Sequence, residues 1–375
     1  MRIVKTSRSA LTALLLLPGL TACGGDIRSD KAPADENVVN VYNWADYIAP
    51  DTIAKFEAEF GIKVNYDLYD STGMVDVKML TGNSGYDVVS HSNHYASRLA
   101  PIGVFEKLDM SRLPNVRHLD PEIMSKIDVF EAVKGYYMPY HWGTTGIAWN
   151  AEMVRERLGD YPMDSADILF DPEIAAKLAD CGISLLDGPN DVIGFALAYL
   201  GRDPNAVDDE SLAAAEELLA GVRPYIRYFS NDKMGVDLPN KEVCIAHSWS
   251  GDFARAQIRA EEAGIEIDLR YSIAKEGSAL WVDGLYITSD APHRDNAYLF
   301  IDFMARPDIA AANANYNYYA NANRSSWAFL KPEILNNPAL FPSGDDWDSL
   351  YLVEVFDPKR IRPRTRMFAR VKSGL

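Results

Sequence analysis

From Val38 onward, short β-branched or alternating runs are separated by segments with helical spacing. Val38-Val39-Asn40-Val41-Tyr42 is a strand signal. Pro50 and Asp51 then open a helix in which Ile53, Phe56 and Phe60 recur at helical spacing, and Gly61 stops it. Residues 62–69 alternate as a strand does. Strand, helix and strand make a βαβ unit, so the octet VYNWADYI at 41–48 falls at the C-terminal edge of a parallel sheet, where open α/β sheets bind ligands. The pattern repeats with a helix over 73–80, a Gly-Asn-Ser-Gly loop at 82–85 and a strand over 86–89. That strand ends in a polar cluster, Ser90-His91-Ser92-Asn93-His94-Tyr95.

The middle of the chain reads as helix at 152–158, 172–178, 193–200 and 211–220, with short strands at 182–185 and 244–247. Strand character returns at 264–271 and 279–287. No short-period repeat interrupts this. The expected architecture is therefore α/β with two lobes, the chain crossing between them near 140–149 and again near 263–271. Lobe 1 is assigned to 38–141 with 259–309, and lobe 2 to 142–258 with 310–375.

The N-terminus is set apart from this pattern. Arg2, Lys5 and Arg8 precede an apolar run at 11–20, and Leu20-Thr21-Ala22-Cys23 follows. Residues 1–22 read as a signal peptide ending in a lipobox, with Cys23 as the lipidated residue of an extracytoplasmic protein. The apolar run falls short of the roughly 20 residues a membrane span needs. Residues 23–37 are small, polar and charged, a flexible tether.

The remainder, 48% hydrophobic and 11% aromatic over the whole chain, can bury a sizeable core. A formal net charge of −17 argues against nucleic-acid binding and favours a cationic ligand. Cys181 and Cys244 remain once Cys23 carries lipid. An even pair in an oxidising compartment reads as one disulfide, the alternative being two buried thiols.

Enzyme signatures are missing: the sequence contains no nucleophile elbow, no phosphate-cradling loop and no zincin motif. His91, His94, His141 and His247 sit near expected strand ends, but no Cys or carboxylate at ligand spacing accompanies them, and no metal or cofactor is expected. What recurs is tryptophan close to aspartate. Trp44 and Asp46 are joined by Trp249 and Asp252 in HSWSGDFARA, by Trp281 and Asp283 in ALWVDGLYI, and by Tyr318 and Tyr319 before a polar loop. Singly, each is as readily an aromatic core residue beside a solvated acid. Three such pairs near strand ends suit an alkylammonium ligand, because aromatic faces cover methylenes and attract cations while carboxylates answer the charged ends.

VYNWADYIAPDTIAKFEAEFGIKV, PYHWGTTGIAWN, SWSGDF, YYANAN and the terminal RTRMFARVKSG resemble the periplasmic polyamine-binding proteins of ABC transporters, most closely the putrescine-binding type. The resemblance runs from about Val38 to Gly374. It implies a two-lobe type II periplasmic-binding fold with a hinge and a central cleft, closing on a polyamine of the putrescine or spermidine class. Carried over residue by residue, the pocket comprises Trp44, Asp46, Tyr47, Ser92, Asp191, Trp249, Asp252, Trp281, Asp283 and Tyr319. The family's disulfide falls on Cys181 and Cys244. In the putrescine type a serine stands at Ala45, a small hydroxyl residue at His94, the longer glutamate at Asp191 and phenylalanine at Trp281. His141 and His247 replace apolar residues near the expected pocket rim, and Asn231 is a further candidate for setting specificity.

With the lipobox read at Cys23, the resemblance implies a lipid-anchored, monomeric binding protein that is not an enzyme and that hands its polyamine to a membrane permease. Two alternatives keep the same pocket: a polyamine sensor signalling to a membrane receptor, or a binding protein retuned to another amine-containing metabolite. An enzyme using paired carboxylates is the outlying reading.

Overall fold

The computed structural model describes residues 37–69, 72–354 and 358–374. The expected signal peptide, Cys23 and most of the expected tether lie outside the described residues. The strands are β1 (Val38–Trp44), β2 (Lys63–Tyr69), β3 (Val88–Ser92), β4 (Tyr137–Asn150), β5 (Ile183–Leu185), β6 (Ile226–Phe229), β7 (Ile245–Trp249), β8 (Leu269–Ser272), β9 (Ser278–Ile287) and β10 (Leu350–Leu352). Among the described residues they form a mixed sheet in the order β2-β1-β3-β9-β4-β7-β5-β6, with β8 on β4 and β10 on β9.

The first βαβ unit forms as its periodicity predicts. Helix Thr52–Phe60 buries Phe56 and ends at Gly61, whose φ of 66° is open to glycine without strain. It returns the chain so that β1 and β2 pair in parallel over their full length. At the other side of the sheet β5 pairs in parallel with both β6 and β7. Between these parallel edges run the antiparallel β4 and β9, 14 and 10 residues long. Their length has a reason: β4 contributes Met138 and Tyr140 to a core with Val39, Phe56, Leu285 and Phe300, and Ile147 and Trp149 to another with Ile183, Phe195, Ile245 and Met367.

Two strands differ from expectation. β3 is Val88–Ser92 rather than 86–89, so Ser90, His91 and Ser92 are not a loop; they are buried strand residues opposite Leu285, Gly284 and Asp283 of β9. The helix Asn93–Leu99 takes up the rest of that polar cluster. The strand predicted at 264–271 shortens to β8, because Gly264 at φ 68° closes the preceding helix and the chain meets β4 only at Leu269.

Cys181 and Cys244 are bonded, with Cα atoms 5.4 Å apart, which settles the choice between a disulfide and two thiols. Cys181 lies two residues before β5 and Cys244 immediately before β7, its parallel neighbour, and the Cys244 N–H donates to the Gly182 carbonyl at 3.0 Å.

Candidate ligand-binding site

The chain that leaves β1 at Trp44 turns at Asp46, whose φ of 57° is the left-handed region that aspartate tolerates better than most residues. The turn sends Tyr47 inward, where it is 9% exposed. Its backbone carbonyl is held by the Tyr140 hydroxyl at 2.5 Å and by Asn317 Nδ2 at 3.1 Å. Asn313 anchors the loop beyond, accepting from the Ala49 N–H at 2.8 Å and from the Thr52 hydroxyl at 3.0 Å.

Tyr47 reaches Asp283 on β9. Its hydroxyl donates to Asp283 Oδ2 at 2.7 Å, and the Ser92 hydroxyl from β3 donates to Oδ1. Asp283 is 3% exposed, and burial pushes its carboxyl up, opposed by these two hydroxyls and by nearby His91. A buried carboxylate whose hydrogen-bond donors are neutral is poorly compensated, and a cation would relieve it.

Aromatic rings continue from this acid. The Tyr47 ring lies 6.4 Å from that of Trp44 and 5.4 Å from that of Tyr319, and Trp281 meets Tyr319 edge-on at 5.2 Å. Glycines admit these rings. A Cβ at Gly251 would stand 2.0 Å from a Tyr319 ring carbon, and one at Gly143 would stand 2.4 Å from Trp281, so neither position accepts a side chain without displacing the wall.

At the far side of Tyr319 its hydroxyl donates to Asp252 Oδ1 at 2.9 Å, in the first turn of helix Ser250–Glu262. The same oxygen accepts from Arg255 at 2.6 Å, and Arg255 lies 3.6 Å from Asp46. The sequence reading did not single out Arg255. Its only signal is the i,i+3 spacing from Asp252, which reads as an ordinary helix-surface pair.

Asp191 and Trp249 join differently. Asp191 lies in the first turn of helix Pro189–Tyr199, and burial raises its carboxyl to about 6 against a hydrogen bond from Trp249, its own backbone N–H and the charge of Arg364. Trp249 packs against the core built on Ile147, Phe195 and Ile245. The candidate residues thus gather as a continuous chain of contacts through Trp44, Tyr47, Ser92, Asp283, Trp281, Tyr319, Asp252 and Asp46, with Asp191 and Trp249 as a separate pair adjoining it through the sequence 249–252.

The candidate specificity residues are more dispersed. Ala45 is exposed, its N–H donating to Tyr69 at 3.2 Å. His94 is partly buried against the Tyr95 ring at 4.0 Å, and Asn231 is exposed, accepting from the Asp187 N–H at 2.9 Å. His141 is 1% exposed, 5.1 Å from the Tyr47 ring, and its Nε2 accepts from Asn317 at 2.9 Å. His247 is not at a rim: it is 2% exposed in β7 and stacked on Phe195 at 4.7 Å. Neither of its ring nitrogens has a hydrogen-bond partner.

Burial lowers the His247 pKa to about 3 from an ordinary value near 6.5. The neutral ring is therefore the folded form, while the unfolded chain takes up a proton below pH ~6.5. Stability from this group is complete above that value and is lost as pH falls toward 3. His247→Phe, which keeps the stack on Phe195, is expected to gain on the natural chain by up to about 1.4 kcal/mol per pH unit below ~6.5. Denaturant unfolding at pH 7 and 4.5 measures it, and a gap that does not widen in acid would refute it.

Among the described residues no group of three His, Cys, Asp or Glu is placed to hold a metal ion, and no helix is long and apolar enough to cross a membrane.

Comparison with known proteins bears on this cluster of aromatic and acidic side chains. A family model described as bacterial extracellular solute-binding protein matches residues 51–342. The chain is 40% identical to the putrescine-binding periplasmic protein PotF of Escherichia coli K12 over 343 residues, covering 91% of this chain and 93% of that one. It is also 40% identical to the putrescine-binding periplasmic protein SpuD of Pseudomonas aeruginosa UCBPP-PA14 over 351 residues, covering 93% and 96%. Among solved structures, the spermidine/putrescine ABC transporter substrate-binding protein PotD of Streptococcus pneumoniae superposes with a TM-score of 0.78 at 28% identity, covering 90% of this chain and 99% of that one.

Proposed function

We propose, from the premise that this chain belongs to the family of bacterial extracellular solute-binding proteins, that it captures a polyamine of the putrescine or spermidine class outside the cytoplasm and delivers it to an ABC transporter permease. The observation that carries the ligand class is Asp283: a buried carboxylate with a neutral hydroxyl on each oxygen, set beside a run of aromatic rings. An ammonium supplies the missing countercharge, and the rings of Tyr47, Tyr319, Trp281 and Trp44 cover an alkyl chain. Trp249 and Asp191 would extend the pocket.

The relatives named for putrescine and spermidine support the same class. They are binding proteins of transport, and this chain is likewise not an enzyme. In this reading the two lobes, 38–141 with 259–309 and 142–258 with 310–375, close on the ligand as a monomer, with β4 and β9 carrying the hinge. A lipid on Cys23 and the tether behind it would hold the protein at the membrane surface beside the permease.

Calorimetric titration of the ligand-stripped mature protein with putrescine, cadaverine, spermidine, spermine and agmatine tests the proposal. Micromolar or tighter binding of a polyamine is expected. Failure of all five to bind would overturn it.

A further inference from the structure

Three carboxylates and one guanidinium gather around the paired tyrosines. Tyr47 donates to Asp283 at 2.7 Å, Tyr319 donates to Asp252 at 2.9 Å, and the two rings are 5.4 Å apart. Arg255 lies 2.6 Å from Asp252 and 3.6 Å from Asp46, and among the described residues it is the one lysine or arginine within ion-pair distance of any of the three acids. Burial and then Asp252 push the Tyr319 hydroxyl well above its ordinary pKa; Arg255 opposes them and Asp283 adds to them, so two of the acids and the guanidinium act on one shared hydroxyl.

The charges of this group do not cancel. With every carboxylate ionised, three negative charges face one positive charge, an excess of two. Burial raises the Asp283 carboxyl, and an ammonium beside it holds it ionised. Asp46 is 60% exposed and water screens part of its charge, so the excess is two at most. The fourth acid of the expected pocket, Asp191, is set apart with Trp249 in the field of Arg364.

An excess of two answers the two ammoniums of a diamine. A third ammonium drawn into the same group finds no free carboxylate and meets Arg255 as a like charge, and beside a wall of aromatic rings such a charge is costly to desolvate. Without Arg255 the excess would be three.

We propose that Arg255 is a specificity-determining residue: its fixed positive charge sets the balance of the acids at a dication, so that the site prefers a diamine to a polyamine with three or more ammoniums. This rests on the reading of the cluster as a polyamine site and narrows that class to its diamines. Arg255 also bridges Asp252 to Asp46, and the two roles differ in consequence. Cutting a bridge weakens every amine alike, whereas removing a repelling charge favours ligands in the order of their own charge.

Putrescine, spermidine and 1,8-diaminooctane separate the two roles. Spermidine and 1,8-diaminooctane have chains of equal length between their end nitrogens and differ by one ammonium. Each ligand is titrated calorimetrically at neutral pH into the ligand-stripped mature protein and its Arg255→Gln, Arg255→Lys and Asp283→Asn variants, with thermal unfolding confirming that each variant is folded. The natural chain is expected to bind putrescine about tenfold or more tighter than spermidine. In Arg255→Gln spermidine is expected to gain about tenfold on 1,8-diaminooctane, while Arg255→Lys, which keeps the charge and loses the planar fork, stays near the natural ratio.

Spermidine binding the natural chain as tightly as putrescine would overturn the proposal, as would an equal change for every ligand in Arg255→Gln, which would leave Arg255 a bridge only. Failure of both long ligands to bind Arg255→Gln would show that length excludes them, and Arg255→Lys tracking Arg255→Gln would show that the fork matters rather than the charge; either overturns it. If putrescine binds and is lost in Asp283→Asn through any of these outcomes, the amine site stands and the role of Arg255 falls. If no ligand binds, or binding survives Asp283→Asn, the amine site falls and the proposal with it.

Discussion

Breaking the Cys181–Cys244 disulfide is expected to lower folding stability by about 4 kcal/mol, the loop-entropy value for a closure of this length, or roughly 2–4 kcal/mol if the unfolded chain keeps some structure. The bonded residues are 63 apart in sequence, and the loop they close holds helix Pro189–Tyr199, helix Asp209–Val222 and β6. Without the bond this whole excursion must be ordered by packing alone, and β5 meets β7 over only two register pairs, Ile183 with Ile245 and Ser184 with Ala246. Both cysteines are buried, at 4% and 0% exposure, so a reductant gains access only through opening of this region. Guanidinium unfolding of the oxidised protein and of a Cys181→Ala, Cys244→Ala double variant gives the difference directly. Asp283 and its hydroxyl partners lie on β3, β9 and the turn after β1, outside the closed loop, so a folded double variant is expected to retain amine binding. A stability loss below about 1 kcal/mol would show that the entropic account does not hold for this loop.

The parts of the molecule visible in the sequence are those fixed by neighbours in sequence. The turn after β1 is one: β-branched residues, then Pro50 and Asp51, then apolar residues at helical spacing and a glycine stop, all within 24 residues, locate Trp44, Asp46 and Tyr47 at a strand end. β3 was harder because Ser90, His91 and Ser92 look like a loop. Their polarity is tolerated in the strand because their partners come from β9, and the donor–acceptor pair Ser92–Asp283 spans 191 positions. Local periodicity carries no trace of such a pairing. Gly143 and Gly251 sit inside quoted motifs, yet that each yields its Cβ space to a ring from elsewhere in the chain is a tertiary fact. Arg255 is the instructive omission: one turn after Asp252 it reads as a surface ion pair, and only the approach of Asp46 from the turn after β1 turns it into a feature of the cleft. The contact of Asp191 with Trp249, 58 positions apart, is likewise invisible to local periodicity.

Replacing Asp283 by asparagine is expected to cut amine binding by about 100- to 1,000-fold, roughly 3–4 kcal/mol, while leaving the ligand-free protein as stable as before or more so. The binding loss follows from shape and charge together. Asparagine keeps the size and one acceptor, so the aromatic wall stays, but a bound ammonium would be buried with no countercharge. The stability effect follows from the direction of the pKa shift. Burial raises the Asp283 carboxyl above its unfolded value, so this group's contribution to stability is complete below that unfolded value, near 3.9, and is lost as pH rises through the folded one. As pH rises through that folded value, the empty natural chain takes on a buried charge that the variant lacks. Against this the variant loses the Tyr47 hydroxyl's acceptor, about 1 kcal/mol. The stability difference is expected to move in the variant's favour between pH 4 and 7, and saturating ligand should reverse it, because only the natural chain gains the pairing. Calorimetric titration with thermal unfolding at both pH values, with and without ligand, reads all three effects. A variant that unfolds readily at pH 7 yet still binds amine would make Asp283 an anchor for Ser92 and Tyr47 rather than the ligand's countercharge. Loss of binding with stability retained identifies the carboxylate whose burial the fold tolerates for the sake of its ligand.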